Sequence, residues 1–148
     1  MMMLAYAAVA LCAVAGARYT ASGARSAWYA RVRPAHAPPR AVFASVWLVM
    51  YASLAHALSA EAAGGNAVSV AAQGGQLLLT VWWCRVFFGE RRPAAAAVVL
   101  AGIVLLSALA LATARTPAVR VVYGGLYLPW CLYALSLNLA SVSRADTD

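Results

Sequence analysis

Lysine is absent from this chain of 148 residues, and acidic residues number only four: Glu61, Glu90, Asp146 and Asp148. No two of them fall in one apolar segment, so the paired acid and base that a hydrolytic enzyme needs have no candidates, and no enzyme is expected. Cysteine is scarce too. Cys12, Cys84 and Cys131 stand far apart, without CxxC or Cys/His spacing, and they read as small hydrophobes rather than a disulfide framework or a zinc site. Of the two histidines, His36 lies among prolines and His56 lies across its helix from Trp47, so neither completes a metal set or a catalytic arrangement. No polar stretch is long enough for a separate soluble domain, and residues 1–148 are read as one domain.

What the chain has in abundance is uncharged apolar sequence. Residues 1–17, 41–60, 62–84, 93–114 and 121–143 carry no charged side chain. A hydrocarbon core of about 30 Å takes roughly 20 apolar residues of helix, and a charge at its centre costs on the order of 3 kcal/mol. The expected fold is therefore all-α, an integral membrane bundle of five transmembrane helices with the lipid bilayer as its main partner.

Arginine marks the connections. Eight residues, Arg18, Arg25, Arg31, Arg33, Arg40, Arg91, Arg92 and Arg144, fall on the side that five crossings give to the first loop, the third loop and the tail, while Arg115 and Arg120 fall opposite. The positive-inside rule places the long loop 18–39 and the C-terminus in the cytoplasm. Arg85, at the end of the third span, would run its stem along lipid to the same side. The net charge of +7 thus reads as a topology signal; spread between apolar spans, it builds no nucleic-acid face. Ala15, Gly16 and Ala17 would pass for a signal-peptidase site, but no basic residue precedes the run, so the first span stays in the bundle.

Pro39, Pro93 and Pro117 stand near the starts of spans, where a missing N–H costs nothing. The fourth span is nearly all Ala, Val and Leu and reads as a lipid-facing wall. The others carry stripes at helical spacing: Phe43, Trp47, Met50, Tyr51 and Leu54; Gln76, Thr80, Trp83 and Phe87; Tyr127, Trp130, Ala134 and Asn138. Polar groups in lipid are favourable only when they face one another or a cavity, so Gln76, Thr80 and Asn138 should point inward. Two readings fit these stripes, interhelical packing alone or the walls of a ligand pocket. Ala67, Ala71 and Gly75 form a small-residue strip that suits either a homodimer face or close packing inside one bundle.

The first loop reads Trp28-Tyr29-Ala30-Arg31-Val32-Arg33-Pro34, then Pro38-Pro39-Arg40, Phe43, Trp47 and Tyr51. This block resembles the signature of the TspO/MBR family (translocator protein, peripheral benzodiazepine receptor), roughly WYxxLxKP, PP, FxxxWxxxY, with a gap one residue shorter and Arg33 in place of lysine. Gly75 to Leu79, Trp83 and Phe87 to Gly89 are similar to the family's GQLxLNxxWxxxFFG, and Tyr127, Leu128, Trp130, Ala134, Leu137 and Asn138 to its PYLxWxxxAxxLN. Thr80 stands where the family has asparagine, and Leu126 where it has proline, with Pro129 three residues later; the last helix should bend near Pro129.

The resemblance implies a protein that binds flat hydrophobic molecules, porphyrins and sterols such as cholesterol, for transport or regulation, with no resident cofactor beyond a porphyrin or haem-like tetrapyrrole as ligand. It implies a site of Trp47, Tyr51, Gln76, Thr80, Trp83, Phe87, Trp130, Ala134 and Asn138 under a lid of Trp28, Tyr29, Pro34, Pro38 and Pro39. It also implies a possible homodimer, in the mitochondrial outer membrane of a eukaryote or the cell membrane of a bacterium. A small channel or structural membrane subunit is the alternative. Between Asn138 and Arg144 there is no tyrosine, so the pattern proposed to contact cholesterol in vertebrate members is incomplete and cholesterol is expected to bind more weakly than it binds a vertebrate member.

Overall fold

The computed structural model describes residues 2–146; Met1, Thr147 and Asp148, the last one of the four acidic residues, lie outside the described residues. Every regular element among them is helical: α1 (Met2–Gly23), α2 (Ala27–Val32), α3 (Arg40–Ala63), α4 (Ala67–Cys84), α5 (Pro93–Ala112), α6 (Pro117–Val119) and α7 (Leu128–Ala145). Two wider π-helical turns are spliced into this series, Arg85–Gly89 directly after α4 and Arg120–Tyr127 between α6 and α7. α4 packs against α1 and α5, α5 against α7, and α1 against α3.

By length and composition α1, α3, α5 and the composite Pro117–Ala145 are able to cross a membrane. α4 is the fifth long helix, and its composition is less apolar because Ser69, Gln73, Gln76 and Thr80 lie along its inward face, all buried. An inward polar stripe is compatible with lipid outside, since those groups find partners in neighbouring helices. The five-helix count is thus approximate in composition and consistent in packing.

Several boundaries differ from the expectation. α1 continues past Arg18 to Gly23, so the connection it leaves is 24–39, with α2 inside it. A charge ends a hydrocarbon span but not a helix, and Thr20 Oγ1 donates to the Gly16 carbonyl at 3.1 Å within the continuing turns. The helix stops where a Cβ on Gly23 would press into Phe88. α5 is more than a wall: Ala96, Leu100, Ile103, Ser107 and Ala110 form a buried stripe. Pro93 and Pro117 occupy first turns as expected, while Pro39 is the N-cap of α3.

Just before Pro129 the helix is π-helical, the Leu128 N–H bonding the Tyr123 carbonyl five residues back, and Pro129 falls in the first turn of α7. Far from the long loop, Glu61 ends α3 fully buried. Its carboxylate accepts from Asn66 Nδ2, from the Arg115 N–H at 2.8 Å, and from both the N–H, at 3.2 Å, and the hydroxyl of Thr116. Asn66 in turn caps α4 and donates to the Thr113 carbonyl at 2.7 Å. One carboxylate with four donors thereby pins the α3–α4 turn to the α5–α6 turn, the arrangement in which a buried charge is tolerable.

Candidate functional site

A cavity of about 450 Å³ opens between α1, α3, the end of α4 and the 24–39 connection. α1 makes room for it with small side chains at helical spacing: Ala13, Gly16 and Ala17, Thr20 and Ala21, then Ala24 just beyond. Gly16 lets α1 approach α4 closely, since a Cβ there would come within 3.3 Å of Cys84 Sγ. α3 supplies Phe43, Trp47, Leu48 and Tyr51; Trp83, Cys84 and Phe88 close the far wall. Tyr51 Oη has no hydrogen-bond partner among the described residues and stands among the rings of the wall. The charged lining groups are Arg25 and Arg40, with Tyr29 and Pro38 beside them, and no carboxylate joins them.

The walls are held from behind. Trp83 stacks on Phe87 at 5.3 Å and donates its indole N–H to Asn138 Oδ1 at 2.9 Å. Asn138 Nδ2 then donates to the Pro93 carbonyl at 2.7 Å, so one amide fastens α4, α5 and α7 together. Gln76 Nε2 donates to Tyr123 Oη at 3.0 Å, and Gln76 Oε1 accepts from Tyr127 Oη at 2.7 Å. Thr80 Oγ1 lies 3.2 Å from the same Tyr127 hydroxyl. Trp47 meets Tyr51, Tyr127 and Trp130 at centroid distances of 5.4, 6.5 and 6.3 Å.

The connection is folded, and its Tyr29 and Pro38 lie against the cavity. Ser26 caps α2 by accepting from the Tyr29 N–H, and the Arg33 guanidinium donates to the Ala37 and Pro38 carbonyls at 2.8 and 2.9 Å. Trp28 sets its edge on Phe87 and Tyr29 tilts on Phe88, at 5.6 and 5.4 Å. A side-chain hydrogen bond, Tyr133 Oη to the His36 carbonyl at 2.8 Å, ties the far end to α7.

Of the fourteen positions expected at the site, the cavity wall takes Tyr29, Pro38, Trp47, Tyr51 and Trp83. Gln76, Thr80 and Asn138 point inward as expected, but in this conformation they bond other helices and stand outside the wall. Phe87 and Trp28 buttress Trp83 and the lid, Pro34 and Ala134 are buried, and Pro39 starts α3. Trp130 packs behind Trp47 and Phe43, its indole N–H buried and without a partner. The contribution of α1 was missed in the sequence, where its small residues suggested a cleavage site; the i, i+3, i+4 repeat of Ala and Gly was the available signal. His56 is exposed, and Ala67, Ala71 and Gly75 lie with Leu106 and Leu109 in a shallow groove on the outer surface.

The sequence pattern of the TspO/MBR family matches residues 5–143. The translocator protein of Bos taurus is 32% identical over 133 residues, which cover 83% of this chain and 77% of the bovine one. A helical membrane bundle matched by this family pattern over nearly its whole length belongs to the TspO/MBR family and is an integral membrane protein of the translocator type.

Proposed function

We propose that the lidded cavity binds flat hydrophobic ligands carrying an acidic group, tetrapyrroles such as porphyrin or haem before sterols, and that the protein moves or regulates them rather than transforming them. The observation that carries this reading is the pairing of rigid aromatic walls, Trp47, Trp83 and Phe88, with two guanidinium groups, Arg25 and Arg40, in one cavity without a carboxylate. Aromatic faces suit a planar ring system, and arginines suit its carboxylates. The volume falls in the range of small-molecule sites. Catalysis finds little support: the wall holds hydroxyls and one thiol but neither imidazole nor carboxylate to activate them. The lid and the C-terminus are read as cytoplasmic from the arginine bias.

Titrating purified protein with a porphyrin should quench its tryptophan fluorescence saturably. Trp47→Leu should weaken binding by roughly 1 to 2 kcal/mol, while Trp130→Leu, one ring further back, should cost less. Arg25→Gln with Arg40→Gln should weaken a dicarboxylic porphyrin more than its methyl ester. Absence of quenching, or equal affinity across all these variants, would remove the cavity from consideration and favour a channel or structural subunit.

A further inference from the structure

A second concavity lies on another face of α1, against the outer side of α4 and separate from the ligand cavity. Its apolar half is built from Leu11 and Ala15 on α1 with Leu78 and Val81 on α4. At the lid end the lining changes character to Tyr19, Trp82 and Arg85. From Leu11 to Tyr19 the groove runs about 12 Å along the helix axis, at 1.5 Å per residue. It is therefore apolar in the membrane interior, and aromatic and cationic where lipid gives way to headgroups. Trp and Tyr prefer that boundary, and a guanidinium there meets phosphate.

Three details fix the charge preference. Arg85 is bound to Glu90 through Nε alone, at 3.0 Å, which leaves both terminal nitrogens without a partner among the described residues. Glu90 also lies 3.6 Å from Arg92, so that its single charge is shared between two arginines and the cluster stays positive. Arg18 immediately precedes the lining residue Tyr19 and, though outside the lining itself, adds a further cation to that turn of α1. Trp82 stands 54% exposed beside them, although tryptophan is costly to leave unpartnered in water and well placed at a headgroup.

We propose that this groove holds an anionic phospholipid, one acyl chain along Leu11, Ala15 and Val81 and the headgroup phosphate on Arg85. A sterol has no charge to engage the arginines, and a second copy of the chain would have to bring an anionic or aromatic complement to them. Since α1 carries the small-residue wall of the cavity on one face and this groove on another, a lipid seated here would brace the helix that forms the cavity.

The test uses the full chain purified in detergent and loaded from mixed vesicles of phosphatidylcholine and phosphatidylglycerol, with retained lipid counted by native mass spectrometry. Wild type should retain phosphatidylglycerol over phosphatidylcholine. Arg85→Gln should lower that preference about fivefold, the factor one interfacial arginine supplies near anionic lipid. Ala15→Phe, which fills the groove without changing charge, should lower retention of both lipids. Arg31→Gln on the exposed face of the lid helix should change neither. Three results would overturn the proposal: equal retention of the two lipids by wild type, an equal loss in Arg31→Gln, or a Trp82→Cys variant that crosslinks between copies in the presence of phosphatidylglycerol, which would give the groove to a second chain. Circular dichroism of each variant separates misfolding from loss of the site, and a conservative Arg85→Lys change, which keeps the charge, should restore most of the preference if a variant proves unstable.

Discussion

Asn138→Ala tests whether the cavity wall is held as the structure describes. The side chain is buried, accepts the Trp83 indole N–H at 2.9 Å and donates to the Pro93 carbonyl at 2.7 Å. Truncation leaves a buried N–H and a buried C=O unpaired, at about 1 to 3 kcal/mol each by soluble-protein experience. In bilayers and micelles the unfolded helices find other partners, and interhelical hydrogen bonds average nearer 0.6 kcal/mol with a ceiling of about 1.7. Two bonds in one buried amide should therefore cost about 2 kcal/mol. The assay is reversible unfolding of purified protein by a denaturing detergent in mixed micelles, followed by circular dichroism. A cycle with Trp83→Phe sharpens it: the ring remains on Phe87 while the N–H is lost, so about 0.5 to 1 kcal/mol should appear as coupling between the two positions. The Pro93 bond should survive in Trp83→Phe and make that variant the milder of the two. A loss below about 0.5 kcal/mol in Asn138→Ala, or strictly additive changes in the cycle, would refute the argument that this amide fastens three helices.

Other expectations concern separate parts of the bundle. Glu61→Gln replaces a four-donor acceptor with one oxygen and a competing amide N–H₂, and should destabilise by about 2 to 4 kcal/mol in the same unfolding assay, with no change expected in porphyrin affinity per folded molecule. Gly23→Ala drives a Cβ into Phe88, 3.0 Å from its Cα, and should lower thermal stability at a cost of about 1 to 3 kcal/mol. Gly74→Ala, which meets nothing within 4 Å, should instead stabilise by about 0.5 to 1 kcal/mol through helix propensity. Single cysteines at Ala35→Cys and Gly64→Cys, in a background freed of the three native cysteines, should label from opposite sides of sealed membranes; labelling from one side would reject the arginine-based topology.

The number and order of long helices were legible in the sequence, because the period of charge-free runs is set by bilayer thickness and needs no partner to be read. The inward direction of Gln76, Thr80 and Asn138 was legible for a similar reason: lipid offers no hydrogen bonds, so any amide in a span must face protein. Helix ends were less so. Arg18 ends the charge-free run but not α1, which continues to Gly23, where the chain passes close against Phe88. Which inward residues line a cavity and which are consumed in bonds was settled only by tertiary packing. Trp47 and Trp130 have the same chemistry and sit in similar stripes, yet one faces open space and the other is packed behind it, and no periodicity along a single helix distinguishes the two. The cavity exists because α1 brings a stripe of small side chains opposite the rings of α3 and α4. Its volume is a difference between neighbouring surfaces, a quantity that belongs to the assembled helices and to none of them alone.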